Sequence, residues 1–356
     1  MLFVRKISTD FTHNTRNHFQ ANNKLVKSLF YRNWQKNTLS TKHNNEEAMS
    51  IKPNDFLLIT SQACRIKHMT ATLFESLFGC TSTLACHVWK LLRRQRLCSS
   101  SDPLHLLYAL LFLKVYGTEN QLASAFNVSR GTYRQRIWPM LEASSRLDEV
   151  REGVYQHVEL FDTSRSLSHI LLAAKIKLSN RFMRDNGSIC KMTVDGTDFM
   201  IREPIPFNPK WYTKKFHGPG LRYEVGVCIQ TGWICWLNGP YPCGEWPDIR
   251  ISRDELVYRL RRGEMVCCDR GYRGSAFHLV PDDTPERNAI KERMKSNARA
   301  RHETINRKFK EYGCMKQKWR HRRSKHGTAC KAVANLVQLK IRKEHGTWNV
   351  EYNDRI

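Results

Sequence analysis

Apolar positions along this chain change their period, and the changes mark out the elements. Over residues 55–96 they recur at helical spacing: Phe56, Leu57 and Ile59, then Leu73, Leu77 and Phe78, then Leu84, Val88, Leu91 and Leu92. This predicts a helical segment, and it ends on the basic run Leu-Leu-Arg-Arg-Gln-Arg. Leu104, Leu107, Leu111 and Val115 make one apolar helix face that stops at Gly117. A short helix over 119–126 carries Leu122, Ala123 and Phe126, and Asn127-Val128-Ser129 breaks it. Ser129 is the expected N-cap of the next helix, from Arg130 toward Trp138. Residues 151–189 read as a helical connector around Leu167, Ile170, Leu171, Leu172 and Ile176, closing at Asn186-Gly187.

Beyond that point the period falls to two. Met192-Thr193-Val194-Asp195 is a short strand that delivers an acid and turns on Gly196. Residues 222–230 alternate as a half-buried strand, Thr231-Gly232 turns, and Trp233-Ile234-Cys235-Trp236-Leu237 returns as a hairpin. A Gly/Pro-rich loop leads to Asp248, followed by an expected helix over 254–262 and a strand over 265–268 ending at Asp269. A further helical run contains Glu303, and a last helix over 328–341 packs on the sheet. Strand, strand, strand, helix, strand and then helices is the order of an RNase H-like α/β domain. That gives a mixed sheet with flanking helices over 190–350, preceded by an all-α region over 51–150. In that topology the first and fourth strands lie side by side and parallel, so Asp195 and Asp269 meet at one end. On the following helix Glu303, Asn306 and Arg307 share a face. Asp195, Asp269 and Glu303 are therefore the candidate catalytic and metal-binding trio. Three converging carboxylates repel unless a divalent cation neutralises them, which points to Mg2+ or Mn2+, with two ions serving a phosphodiester.

Charge sharpens the partner. Lys plus Arg number 59 against 33 Asp plus Glu, a formal charge of +26, so the field favours a polyanion. An RNA-binding protein is the plainest alternative, but it leaves the acid positions without a purpose. The two helices around Ser129 read as a helix-turn-helix within 104–141, exposing Arg130, Thr132, Arg134 and Arg136 for DNA; a helical hairpin with a solvated basic face is the alternative. Lys214 and Lys215 near Trp211, and Arg320, Arg322 and Arg323 in the run 316–326, are further phosphate contacts. Residues 1–50 read as a disordered basic arm; its near absence of acid also suits a mitochondrial presequence, the alternative to a nuclear location. No apolar run reaches the length of a membrane span. The cysteines show no CxxC pair, and Cys228, Cys235, Cys243, His321 and His326 match no zinc module.

Four motifs in order carry a resemblance: Thr193-Val194-Asp195-Gly196-Thr197, Gly239-Pro240 with Trp246-Pro247-Asp248, Cys268-Asp269-Arg270-Gly271-Tyr272, and Arg301-His302-Glu303-Thr304-Ile305-Asn306. Together they resemble the DDE endonuclease domain of PIF/Harbinger-type transposases over roughly residues 100 to 350. The resemblance implies a metal-dependent DNA endonuclease and strand-transfer enzyme, either of a transposable element or of a domesticated copy. The alternative is a catalytically retired DNA-binding protein. By the resemblance Asp195, Asp269 and Glu303 correspond to the DDE triad. Asp248 matches a further acid and is a candidate metal ligand, with a helix cap or loop acid the alternative, since Pro247 stands where the family usually carries His. The resemblance implies a Myb-like DNA-binding partner protein; whether the chain also forms a homo-oligomer is left open by the sequence.

Overall fold

The computed structural model describes residues 50–147, 178–282, 289–344 and 346–354. The expected basic arm and most of the expected connector lie outside them. Residues 52–356 form one compact unit.

Six helices open it: α1 (Pro53–Ala63), α2 (Ala71–Phe78), α3 (Ser82–Arg94), α4 (Leu104–Val115), α5 (Glu119–Ala125) and α6 (Arg130–Ser145). The chain starts α2, α3, α5 and α6 with one device. Thr70, Thr81, Thr118 and Ser129 each accept a hydrogen bond from the backbone N–H three residues on, satisfying a donor that the first turn leaves free. Between α5 and α6 the chain reverses at Asn127, whose φ of 54° is one that Asn tolerates better than most residues. Helix α4 was expected to bury one face, yet every residue from Leu106 to Leu113 is buried. It runs through the middle of the helical layer, and its all-round apolar sequence is what that position requires.

The sheet contains β1 (Cys190–Met200), β2 (Tyr212–Thr213), β3 (Gly218–Cys228), β4 (Ile234–Pro242), β5 (Met265–Cys267) and β6 (His278–Leu279). β1 pairs antiparallel with β3 and parallel with β5; β3 also pairs with β4 and β2, and β5 with β6. The hairpin and the parallel β1–β5 neighbours agree with the sequence reading, but β1 does not turn at Gly196: it stays paired with β3 to Met200, and β4 runs on through Gly239 and Pro240 to Pro242, because backbone pairing with β3 carries both strands past their glycines. β2 and β6, two residues each, are too short to show a period.

The helix expected over 254–262 begins earlier. α7 (Asp248–Ile251) starts directly after Pro247, then widens into a π turn over Ser252–Leu256 and tightens over Val257–Arg259. Asp248 in the first turn suits the positive end of a helix, a start signal that the Pro-rich loop obscured. Beyond the sheet come α8 (Ala289–Lys310), α9 (Gly313–Lys316) and α10 (His326–Lys343).

The sheet is covered on both faces. On one, Met192, Val194, Val266 and Cys268 pack with Leu256 and Tyr272; on the other, Cys190, Ile229 and Cys267 pack with Ala298 of α8 and with Val350 and Tyr352. The opening helices join the later part of the unit through α9, α10 and the loop between them. Asn335 donates to the Ser144 carbonyl at 2.9 Å, Tyr312 donates to the Gly79 carbonyl at 3.2 Å, and Lys340 pairs with Glu75 at 2.7 Å. Tyr116 stacks on Trp319 with ring centres 5.5 Å apart. Among the described residues no helix is long and apolar enough to cross a membrane.

Candidate active site

Strand register brings the first two acids together. The last parallel pair between β1 and β5 is Thr193 with Cys267, and Asp195 and Asp269 each lie two residues beyond it. They lie level with one another, Asp195 within β1 and Asp269 just beyond the end of β5. Both line an open cavity of about 930 Å3, together with Asp198, Asp248, Lys214, Lys215 and Arg222. Phe207, Pro209 and Tyr212 complete its apolar wall.

The two faces of β1 hold different partners. Thr193 and Asp195 point to the face that α8 covers: the Thr193 hydroxyl lies 2.7 Å from His302 Nδ1, and Asn306 Nδ2 donates to Asp195 Oδ2 at 2.8 Å. Gly196 faces the other way, where a Cβ would lie 1.9 Å from Asp248 Oδ1. Only a residue without a side chain lets Asp248 seat there. Asp269 Oδ1 accepts from the Gly271 N–H at 2.8 Å, capping the short turn Arg270–Tyr272.

Burial, followed by the charges of Asp269 and Asp248, pushes the Asp195 carboxyl up to about 7, against the pull of Lys215. Burial also raises Asp248, while Arg222 opposes the rise and Asp198 and Asp269 add to it. For Asp198 the balance is reversed. Burial alone would raise it, but hydrogen bonds and charge from Arg222, with help from Lys215, bring it below the usual range. Arg222 stands opposite Asp198 across the β1–β3 pair, gripping both carboxylate oxygens at 2.7 and 2.9 Å, and its Nε also lies 3.4 Å from Asp248. Two of the four cavity acids are thus already paired with one guanidinium. Asp195 and Asp269 remain.

The third candidate acid is Glu303. It is exposed on α8 and does not line the cavity. The side chain of α8 that reaches Asp195 is Asn306. A signal for this existed in the buried stripe Ala298, His302, Ile305 and Phe309, which follows the helical period and carries Asn306 beside it. His302 is a polar support: burial pushes its imidazole down to about 3, so it stays neutral against Thr193. Lys310, one turn beyond Asn306, feels the charges of Asp198 and Asp195, which partly offset its lowering by burial and Lys215. Asp198, Arg222 and Lys310 were not singled out in the sequence, and Asn306 was read only as sharing a helix face with Glu303. Opposite charges across two strands can be recognised only once the register is known.

Asp195 and Asp269 offer hard oxygen donors that suit Mg2+ or Mn2+. Among the described residues, however, no group of three or more His, Cys, Asp or Glu side chains could hold one metal ion. Asp195 and Asp269 are the two cavity carboxylates that Arg222 does not hold, and their donor chemistry fits a divalent cation.

The expected DNA contacts divide. Arg130, Thr132, Arg134 and Arg136 are exposed on α6. Arg134 is bound by Glu119 through Nε at 2.9 and 3.1 Å, and Thr132 shares a hydrogen bond with the cap residue Ser129. Arg320 lies over the Tyr116 ring and donates to the Tyr116 and Gly117 carbonyls, which commits it to the joint with α4. Arg322 and Arg323 are exposed, and Arg323 lies over Trp211, 4.8 Å from the ring centre.

Residues 194–339 match the family model of the DDE superfamily endonuclease. The matched segment contains Asp195, Asp248, Asp269, Glu303 and Asn306, and the match supports this superfamily and a nuclease or transposase activity in general. No curated protein and no solved structure matches the chain.

Proposed function

We propose that this protein is a DNA endonuclease and strand-transfer enzyme of the PIF/Harbinger transposase type, acting in the nucleus at the ends of a transposable element or as a domesticated descendant. The observation that carries the reading is the parallel register of β1 and β5, which sets Asp195 and Asp269 level beside a cavity whose walls also bear Lys214, Lys215 and Arg222. A divalent cation held by Asp195 and Asp269 would activate a water or 3′-hydroxyl and stabilise the leaving oxygen of a phosphodiester. The chain supplies the rest. Lys214 and Lys215 draw the phosphate to the cavity, Arg222 keeps Asp248 and Asp198 from adding their charge, and Phe207 and Tyr212 give the sugar or base an apolar wall. Arg130 and Arg136 on α6 extend the contact along the duplex. A Myb-like DNA-binding protein is the proposed partner for choosing the site.

Nicking of supercoiled DNA tests this reading. Wild-type protein should cut with Mn2+ or Mg2+ and not with EDTA, and Asp195→Asn and Asp269→Asn should each abolish cutting while leaving DNA binding intact. A wild-type protein that binds DNA but cuts neither a supercoiled nor a pre-cut substrate would replace the enzyme with the second reading, a retired DNA-binding protein. That second reading is favoured by one observation: the residue of α8 that meets Asp195 is an amide.

A further inference from the structure

Helix α8 is the element from which a third carboxylate could close the acidic centre, because its inward stripe crosses β1 at Thr193 and Asp195. The side chain delivered there is Asn306, 9% exposed. Its Nδ2 donates to Asp195, while its Oδ1 is buried with no hydrogen-bond partner. A buried amide oxygen left unpaired is uncommon and calls for a ligand that it can serve. Glu303, the acid of the same helix segment, is exposed.

Charge then limits what the centre can hold. Asp198 and Asp248 share Arg222, and Lys215 and Lys310 add positive charge around Asp195. As ligands of a metal the two remaining carboxylates supply a charge of −2, which one divalent cation cancels. A second cation would sit in an excess of positive charge, with only neutral Asn306 to meet it. Resting on the metal-dependent reading above, we infer that Asn306 stands in place of a third carboxylate and restricts this chain to one weakly held divalent cation at Asp195 and Asp269. Asn306 is on this account a positioning residue that sets cation affinity and stoichiometry.

The test measures Mn2+ binding to the full-length protein by calorimetry and by the loss of the free Mn2+ electron paramagnetic resonance signal. Wild type should bind one Mn2+ per chain. Asn306→Asp, nearly equal in shape, and Asn306→Glu, with longer reach, should tighten binding about tenfold or more, on the order of what a well-placed ligand contact contributes. Without metal, Asn306→Asp should lower the melting temperature, because a new carboxylate faces Asp195, and Mn2+ should raise it by more than in wild type. Glu303→Gln should leave Mn2+ affinity unchanged. Two Mn2+ ions per wild-type chain, unaltered affinity in a folded Asn306→Asp protein, or loss of binding in Glu303→Gln would each overturn the inference. Its failure is separate from failure of the enzyme reading. Tight wild-type binding with efficient nicking sinks only the role of Asn306, whereas absent wild-type nicking with Mn2+ binding gained by Asn306→Asp sinks only the enzyme.

Discussion

Glu224 stands opposite Gly196 across the β1–β3 pair, completely buried, and its Oε2 accepts a hydrogen bond from the Trp236 indole at 2.8 Å. Burial first, and the nearby charge of Asp248 in the same direction, push its carboxyl up to about 8 from an ordinary 4.5. The folded state therefore holds this proton more tightly than the unfolded chain does. The resulting stability is fully present below about pH 4.5 and is lost as the pH rises through about 8. Glu224→Gln keeps an acceptor for Trp236 and cannot ionise. Urea unfolding should show it nearly as stable as wild type at pH 5 and more stable at pH 9, by about 2–4 kcal/mol. An equal difference at both pH values would mean that Glu224 does not titrate in the folded protein.

Helix α6 presents its basic side chains unequally. Tyr133, Ile137, Trp138 and Leu141 face inward, and the Tyr133 hydroxyl donates to the Tyr108 carbonyl at 2.9 Å. Arg130 and Arg136 stand exposed, whereas Arg134 is held by Glu119. Fluorescence anisotropy across a salt series distinguishes their roles. Arg130→Ala with Arg136→Ala should weaken DNA binding and reduce the salt slope by about 2, one counterion for each lost phosphate contact. Arg134→Ala alone should change the slope less than either of the other two single substitutions. An unchanged slope in the double variant would return α6 to a purely supporting role.

The opening helices and the sheet-bearing part behave as one object because their joint is built from core-sized groups. Trp319, 1% exposed, stacks on Tyr116 and meets the edges of Phe112 and His326, so the loop before α10 is locked to α4 by buried aromatic rings. Removing the opening helices would uncover these rings and the inner face of α10. Calorimetry of the whole chain should therefore show a single cooperative transition. A fragment beginning at residue 178 should lack one, and a fragment that melts cooperatively by itself would show that the two parts are independent.

The start of the Asp195 strand, the hairpin after it and the level placement of Asp195 with Asp269 are legible along the chain, because a period of two and a parallel neighbour leave little freedom in register; the length of β1 beyond Gly196 is not, since it depends on pairing with β3. The cap at Ser129 is equally local, since a hydroxyl three residues before a free N–H needs no other part of the molecule. Which side chain of α8 meets Asp195 was not legible. Glu303 and Asn306 are neighbours on one side of a helix, and sequence spacing cannot tell which of them will point at the sheet. That depends on the rotation of α8 about its axis, which is set by the packing of Ala298, Ile305 and Phe309 and by the His302–Thr193 hydrogen bond. These contacts join residues about a hundred positions apart. The pairing of Asp198 and Asp248 with Arg222 is decided in the same way, by strand register and by the bare backbone of Gly196. Local periodicity placed the acids on their elements, and only long-range packing determined which of them Arg222 holds and which it leaves to the cavity.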